Sequence, residues 1–489
     1  MESKSKLIPR LAYLYLAIPV GIFLLSWLRW YFGIPLFLLL CYGCFCSWKD
    51  SPECWMPRWD RKTILHGVCA VFFIVLIVWL SGIGAMAYQN WDHYTRNAVF
   101  DVLCDRKWPI YEQNPNGYTV SLIYYIGFWL PAAVMGKLFG TGFGYVFMAL
   151  WSILGVVLFY ALVCIRSRKL TVWPILLFFA FSGLDALTKL CVGEGATIFS
   201  ADHLEWSFFC FQFSSFTTQL FWVFNQAIPA WLFTVLLFFQ KSNRNIVFLL
   251  SLSLLSCTLP FLGMIPFAAY VMFNQKYEGV LSRREWFKKW FKDTFTVQNV
   301  VCGGAITIIL ALYVLSNTHA GGTGPEDSSN TVRFVWMLFP NFAQFFWRYV
   351  LFVIAEVGFH IFFVCCTKKR NITLLFVVGG VLLITPLFRI GSGYDACMRV
   401  SIPALVILYL MVYDTLDEAW HARERLVFCP LLFVLLLGAI TPWHEILRTL
   451  MMTFQGYFSA GTFDIMTSNA GNFIADISDS FFYRFIAKK

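Results

Sequence analysis

The chain has 489 residues, of which 59% are hydrophobic, 19% aromatic and only 13% charged, and its mean hydropathy is +0.68. This composition excludes a soluble globular protein, because many segments reach the roughly 17–25 apolar residues that a membrane-spanning helix needs. The net charge of +10 does not indicate nucleic-acid binding, since the basic residues lie mostly in short loops beside apolar segments. We therefore expect a single integral membrane domain over 1–489, surrounded by membrane lipids and without a nucleic-acid partner.

The N-terminal residues 1–63 predict a membrane hairpin with a cytoplasmic loop. The start MESKSKLIPR is basic, like that of a signal peptide, but no small-residue cleavage site follows and the apolar region continues too far. Two spans, 11–28 and 31–46, precede a strongly basic loop over 47–62. Because basic loops mark the cytoplasmic side, we expect a cytoplasmic N-terminus and a crossing to the outside over 64–88.

The densest polar segment of the first half is the outer loop 89–118, which comes straight after that crossing. Charged and aromatic residues alternate along it, as in NWDHYTRNAVFDVL. Such a mixture is typical of amphipathic helices at a membrane surface, with rings in the headgroup layer and charges toward water or a substrate. Asp92 leads this loop, and we expect it to belong to an active site.

The next two apolar segments, 119–138 and 144–164, conflict with the charge rule. If both crossed the membrane, the basic cluster Arg166, Arg168 and Lys169 would lie outside. When this cluster is placed inside, the basic residues of the later loops also fall on the cytoplasmic side, as the charge rule requires. We therefore expect one of the two segments to be re-entrant or interfacial.

Two ionisable residues fall within the apolar segment 172–190. Asp185 and Lys189 are four residues apart and so share a helix face. They either pair with each other inside the bundle or face a substrate, since ionisable residues within a membrane are functional candidates.

A second polar and aromatic loop, 191–218, supplies another acidic element through Asp202, His203 and Glu205. Shortly after it, Asn225 and Gln226 lie inside an apolar run. Buried amides are costly unless they are hydrogen-bonded, so we expect these two to have partners.

The last polar groups come from the second half of the chain. Arg333 lies in an outer loop, and the stretch RIGSGYDACMRVSIPAL places Arg389, Asp395 and Arg399 at an outer boundary. Arginines at the outer surface run against the charge rule, which favours a functional interpretation. The tail 442–489 is expected to lie outside as well.

Together these patterns predict an all-α fold, a polytopic bundle of about 11–13 transmembrane helices with its core over 64–441. The polar segments converge on one extracytoplasmic face. A transporter would be expected to keep polar groups near the bilayer midplane, so this distribution favours an enzyme that acts on membrane-attached substrates. Glycosyl transfer from a lipid phosphate uses such groups, since a carboxylate takes the hydroxyl proton and guanidinium groups hold the phosphate.

The order of segments resembles the GT-C superfamily of integral-membrane glycosyltransferases. A spanning helix followed by an outer loop with an early Asp carries the resemblance, and NWDHYTRNAVFDVL, FWVFNQAIPAWL and YDACMRVSIPAL resemble stretches of bacterial membrane proteins grouped with it. The resemblance implies a polyprenyl-phosphate-sugar donor and a glycan, lipid or protein acceptor. It also implies a GT-C-like fold in the plasma (inner) membrane with an extracytoplasmic active site. Two spans precede the loop-bearing helix here, which departs from the usual core.

The resemblance places the first-loop carboxylate on Asp92, as the base or as the group that orients the acceptor, with His93 as a weaker alternative. Arg96, Arg389 and Arg399 are the candidates for the donor phosphate, and an Arg399–Asp395 ion pair is the structural alternative. A divalent metal, Mg²⁺ or Mn²⁺, is left open, because the loop has no DxD pair and the Asp202 element does not place three ligands together on a helix.

Two other functions remain open. A polysaccharide polymerase or ligase-like enzyme also uses lipid carriers and outer-loop arginines, but it would need a large outer loop between late spans. A multi-span transporter or flippase would instead couple movement of a substrate to an ion gradient.

Overall fold

The structure, a computed structural model, describes residues 4–113, 117–191, 203–205, 210–277, 279, 282–319, 332–367, 371–390, 395–468 and 473–489. Most of these residues are helical, which agrees with the predicted bundle. The α-helices are α1 Leu7–Trp27, α2 Trp30–Asp50, α3 Arg61–Leu80, α4 Asp92–Asp105, α5 Leu130–Phe139, α6 Thr141–Ser167, α7 Trp173–Ala180, α8 Asp185–Cys191, α9 Phe216–Leu237, α10 Ile246–Ser253, α11 Thr258–Phe273, α12 Arg283–Thr294, α13 Gly304–Leu315, α14 Phe342–Val353, α15 Phe359–Cys365, α16 Ile372–Ile384, α17 Asp395–Val400, α18 Ile402–Ala422, α19 Arg425–Gly438 and α20 Ile440–Phe454.

Nine helical segments in the described part of the chain are long and apolar enough to cross a membrane. The chain is therefore a multi-pass membrane protein. Three further apolar helices, Ile126–Phe139, Thr258–Phe273 and Ile372–Leu387, are shorter than a full span. Fewer full-length spans thus occur in these residues than the 11–13 predicted, because several apolar runs are divided by breaks or by short helices.

Salt bridges identify one end of the bundle, here called the Lys169 end. Arg166 contacts Asp414 at 2.5 Å, and Lys169 contacts Asp417 at 2.7 Å. The same end carries Lys62, which lines one cavity together with Lys169. The predicted basic loops 47–62 and 166–169 therefore meet at one end, as the charge rule requires.

The opposite end of the bundle is called the Asp92 end, and the chain reaches it at the C-terminal end of α3. The hydroxyl of Thr141, at the start of α6, donates to Asp105 of α4 at 3.2 Å. Since α6 then runs 27 residues, or about 40 Å, to the Lys169 end, it crosses the whole bundle. The segment 119–138 is instead divided into a strand, a 3₁₀ turn and the 10-residue helix α5. Its apolar helical stretch, Ile126–Phe139, is shorter than a full span, which favours this segment as the re-entrant or interfacial one.

Short strands occur between the helices. They are β1 Lys4–Ser5, β2 Cys54–Trp55, β3 Tyr111–Gln113, β4 Thr119–Leu122, β5 Val332–Phe334, β6 Phe388–Ile390 and β7 Ile474–Asp476. The strands β3, β4 and β7 form an antiparallel sheet with β4 in the middle. Because β7 belongs to the tail 442–489 and β3 follows α4, this sheet joins the tail to the Asp92 end.

The tail is also hydrogen-bonded to the connection between α1 and α2, the helices of the N-terminal hairpin. Arg29, in the two-residue connection between α1 and α2, donates from Nε to the Ala487 carbonyl at 3.0 Å and from Nη2 to the Arg484 carbonyl at 3.0 Å. The Lys488 amide donates to the Trp27 carbonyl at 2.9 Å. These bonds satisfy carbonyls that would otherwise be left open at a helix end.

Helix α9 lies at the centre of the bundle, and all of its residues are buried. It packs against α1, α6, α10, α11, α18 and α20. The helix is interrupted at Val223, whose φ of −139° and ψ of 33° are not helical. This kink lies close to the Asp92 end and helps to position the candidate site.

Candidate functional site

The first turn of α4 is fixed by amide side chains on both sides of Asp92. Asn90 Oδ1 accepts from the Asp92 amide at 3.1 Å. Gln89 and Asn97 exchange two side-chain hydrogen bonds, of 3.3 and 2.9 Å. Asn97 also donates to the Gly461 carbonyl at 3.0 Å, so the tail is hydrogen-bonded to this helix. Asp92 therefore lies at the start of a helix that these hydrogen bonds hold in place, and not on a loop.

His93 has a structural role at the kink of α9. The Phe221 carbonyl accepts from Asn90 Nδ2 at 2.9 Å and lies 3.1 Å from His93 Nε2. Burial and the nearby Arg96 lower the pKa of His93 to about 3, so its ring is neutral and can donate to this carbonyl. With one ring nitrogen occupied in this way, His93 is a poorer candidate base than Asp92.

Asp92 and Arg96 form an ion pair one helix turn apart. Arg96 Nη2 lies 2.8 Å from Asp92 Oδ2, and the two side chains are 7% and 24% exposed. The guanidinium lies over the Phe224 ring at 5.9 Å. Arg96 Nε and Nη1 are buried without a hydrogen-bond partner among the residues that the structure describes. Buried donors of this kind are costly unless a ligand or water accepts from them.

A second Asp–Arg ion pair with the same spacing of four residues lies on α17. Arg399 Nη2 lies 2.9 Å from Asp395 Oδ2, again one helix turn apart, and Arg399 Nη1 donates to the Tyr125 hydroxyl. Asp395 is 55% exposed, whereas Arg399 is buried. Arg399 Nε has no partner within the described ranges. The predicted Arg399–Asp395 ion pair is therefore present, with one donor of the guanidinium still open.

Both pairs have their arginine within electrostatic range of Tyr124. Burial works against the charge on Arg399, yet Asp395 and, at longer range, Asp92 raise the pKa of its guanidinium. Burial raises the pKa of Tyr124, and both Arg399 and Arg96 lie close enough to oppose that rise. The Asp92–Arg96 pair and Arg399, which are far apart in the sequence, thus lie within electrostatic range of the same tyrosine.

Arg389 has a different position. It lies on β6 directly opposite Arg333 of β5, so the structure brings these two predicted arginines together. Arg333 is exposed. Since β6 packs against α17, which carries Arg399, the role of Arg389 at the same phosphate stays a prediction.

A buried polar cluster adjoins the Asp92 site across two tryptophans. The rings of Trp91 and Trp222 are 5.5 Å apart, and Trp222 Nε1 donates to Glu445 Oε2 at 3.1 Å. Arg448 Nη2 contacts the same Glu445 oxygen at 2.7 Å, and the guanidinium carbon of Arg448 lies 5.6 Å from the Trp222 ring centre. The sequence analysis missed Glu445 and Arg448. Their spacing of three residues on an amphipathic helix was the available signal.

His203 and Glu205 belong to this cluster, while Asp202 lies outside the described residues. Glu205 is 1% exposed, and its two oxygens accept from the Ser215 amide and from Gln212 Nε2, each at 2.9 Å. Burial, together with the nearby Asp185, raises the pKa of Glu205 to about 8. Burial and Arg448 lower the pKa of His203 to about 3.

Asp185 and Lys189 do share a face of α8, but their side chains have different partners. Asp185 Oδ2 accepts from Ser182 Oγ and from Thr441 Oγ1, each at 3.2 Å. Lys189 Nζ donates to the His203 carbonyl at 3.3 Å. An ion pair between the two is therefore not what holds them in the bundle.

Asn225 and Gln226 are both buried in α9, just past the kink. Asn225 Nδ2 and Gln226 Oε1 have no hydrogen-bond partner in the part of the chain that is described. The expectation that both amides are fully hydrogen-bonded is thus not met for these atoms.

No group of three or more His, Cys, Asp or Glu residues that could hold a metal ion occurs in the described ranges. The divalent metal, Mg²⁺ or Mn²⁺, that the sequence left open thus has no ligand group of that kind in these ranges. Asp92 and Asp395 each contact an arginine instead, and a guanidinium is a poor neighbour for a bound cation.

The raised pKa of Glu205 predicts a pH-dependent stability. The folded chain holds this proton up to about pH 8, whereas an exposed glutamate releases it near 4.5. The free energy of unfolding should therefore fall as the pH rises from 4.5 to 8, by up to about 1.4 kcal/mol per pH unit. In Glu205→Gln this part of the pH dependence should disappear, as measured by thermal unfolding in detergent. The surface variant Glu112→Gln is the control, and an unchanged slope in Glu205→Gln would contradict the prediction.

The fold and this site define a multi-span helical membrane protein with two buried polar clusters toward one end of its bundle. A comparison of the chain with models of known families, with curated proteins and with solved structures finds no match. The resemblance to GT-C enzymes therefore stays a prediction.

Proposed function

We propose that the chain is a GT-C type glycosyltransferase that moves a sugar from a polyprenyl-phosphate donor to an envelope glycan, lipid or protein. The observation that carries this proposal is the pair of buried guanidinium groups with open donors, Arg96, which is ion-paired with Asp92, and Arg399, which lies within electrostatic range of the same carboxylate. Such donors suit a phosphate, because charge-assisted hydrogen bonds to phosphate oxygens would satisfy them. The active site is proposed to face the extracytoplasmic side of the plasma membrane.

In the proposed reaction, the acceptor hydroxyl oxygen attacks the anomeric carbon of the donor sugar. The bond between that carbon and the phosphate oxygen breaks, and polyprenyl phosphate leaves with one additional negative charge. Asp92 takes the hydroxyl proton or orients the hydroxyl, which its partial exposure permits. Arg96 and Arg399 stabilise the charge that develops on the leaving phosphate.

Aromatic rings beside the carboxylate suit a sugar substrate. Trp91 is exposed next to Asp92, and its ring packs edge-on against Trp222. Tyr125 lies under Arg399 on the other side, with 5.8 Å between the guanidinium carbon and the ring centre. Such rings provide apolar faces for sugar C–H groups while their polar edges stay hydrogen-bonded.

A transporter or flippase is the second candidate, and one observation favours it. Asp185, Glu356 and His360 are buried inside spanning segments, where transporters commonly place ion-binding residues. An ion-coupled carrier would need these residues, whereas sugar transfer at the Asp92 end would not.

The test uses the purified full-length protein in lipid vesicles with radiolabelled polyprenyl-phosphate hexoses and pentoses. We expect release of polyprenyl phosphate together with a labelled acceptor. Arg96→Gln and Arg399→Gln should each weaken the binding of short-chain polyprenyl phosphate by about tenfold or more, the loss of one charged hydrogen bond. Arg244→Gln, at the Lys169 end, is the control. Absence of transfer from every donor, with gradient-driven sugar or lipid movement instead, would favour the transporter.

A further inference from the structure

The helix pair α7–α8 is broken inside the bundle. Helix α7 ends at Ala180 and α8 begins at Asp185, and the four residues between them are not helical. The Leu184 amide donates to the Ala355 carbonyl at 3.1 Å. A Cβ on Gly183 would lie 2.1 Å from Glu356 Oε2, so only glycine fits this approach. The break is therefore packed closely against the Glu356 carboxyl.

The opposing segment is irregular at the same place. Residues Ile354–Gly358 form a turn of π-helix between α14 and α15, and Glu356 lies at its centre. Single π-helical turns inside α-helices are frequently associated with functional sites. Broken helices at membrane depth are likewise found where they line a binding site.

Two buried carboxyl groups meet between these segments. Asp185 and Glu356 are 2% and 3% exposed, and their carboxyl groups lie within hydrogen-bonding range of each other. A hydrogen bond between two carboxyl groups requires one of them to carry a proton, because both are acceptors when ionised. Asp185 is further held by the hydroxyl groups of Ser182 and Thr441.

Beside this carboxyl pair lie buried polar atoms that have no hydrogen-bond partner within the described residues. Glu356 Oε1 has no hydrogen-bond partner among the residues described. His360, one helix turn further and 0% exposed, packs on Phe181 at the start of the break, with 4.8 Å between ring centres. Both of its ring nitrogens lack a partner in the same described ranges. Unpartnered polar groups buried this deeply indicate a site for a small ligand or water.

We propose that Asp185 and Glu356 form a membrane-embedded site that holds one exchangeable proton. Among the described residues, the titratable groups near this pair include Glu205 from the loop before α9 and His360 from α15, and Lys189 lies one helix turn from Asp185 on α8. Glu205 lies within electrostatic range of Asp185 and belongs to the cluster that adjoins Asp92. This proposal does not depend on the glycosyltransferase proposal.

The test is chemical labelling of the full-length protein in lipid vesicles with a hydrophobic carbodiimide, which reacts with protonated carboxyl groups inside membranes. Mass spectrometry of the digested protein locates the label. We expect it on Asp185 or Glu356 and not on Asp417, a salt-bridged carboxylate at the Lys169 end. The label should be lost as the pH is raised, and sodium should not protect against it.

Two variants make the test decisive. In Glu356→Gln the amide donates to Asp185, so Asp185 stays ionised and the label should be lost from both positions. Asp185→Asn should remove the label from Glu356 for the same reason. Size-exclusion chromatography and the melting temperature establish that each variant is folded. The proposal is overturned if neither carboxyl is labelled at any pH in the folded wild-type protein. Protection by sodium would also overturn it, because the occupant would then be a sodium ion.

Discussion

Replacing Asp92 by asparagine is expected to reduce sugar transfer by about 10²–10⁴-fold, the range for removing a general base. The amide keeps the size of the side chain and can still accept from Arg96, so the start of α4 should stay folded. It cannot take a proton from the acceptor hydroxyl. The measurement is release of polyprenyl phosphate from the labelled donor, with the amount of folded protein in the vesicles held equal.

The matched control is Asp101→Asn on the same helix. Asp101 accepts from the Tyr145 hydroxyl at 2.9 Å, and asparagine preserves that bond through its own oxygen. Transfer by this variant should equal that of the wild type. If Asp92→Asn also retained full transfer, Asp92 would be removed from the mechanism, while the phosphate roles of Arg96 and Arg399 would still be open to the binding test.

The second large effect is expected from Gly263→Ala in α11. A Cβ at this position would lie 1.9 Å from the carbonyl oxygen of Val400 and 3.3 Å from Pro403 Cδ, so the backbone of α17 must move. We expect a loss of about 1–3 kcal/mol in the free energy of unfolding, as is typical of overpacked interiors. Because Val400 follows Arg399 directly, sugar transfer should fall as well.

The control for this substitution is Gly380→Ala in α16, where a Cβ would meet no atom within 4 Å. Alanine is a better helix former, so this variant should gain up to about 1 kcal/mol. Thermal unfolding in detergent measures both changes. A Gly263→Ala variant as stable and active as the control would show that α11 and α17 are not in such close contact.

The local part of the candidate site was predictable from the sequence. An apolar run followed by a charged and aromatic segment predicts a helix at a membrane end. The Asp395–Arg399 ion pair was offered as an alternative from the sequence, and the same spacing of four fits the Asp92–Arg96 pair, which the sequence analysis did not anticipate. The basic loops also predicted correctly which ends of the spans lie together. These features depend on neighbours in the chain and on the charge rule alone.

The long-range part was not predictable. Nothing in the sequence indicates that β7 pairs with β4 or that Asn97 bonds to Gly461, since such contacts join segments separated by more than half of the chain. The kink at Val223 precedes Pro229 by more than one helix turn, so the proline did not locate it. Glu356 and His360 had a signal, as ionisable residues within an apolar run, that the sequence analysis did not use.

The contact between Asn97 and the Gly461 carbonyl spans 364 positions of the sequence. During synthesis, α4 emerges from the ribosome long before the residues that hold it. The chain can therefore be inserted into the membrane for most of its translation while the surroundings of Asp92 are still incomplete. Insertion into the membrane and completion of the surroundings of Asp92 are therefore separate events in time, because these surroundings form only after the tail has been synthesised.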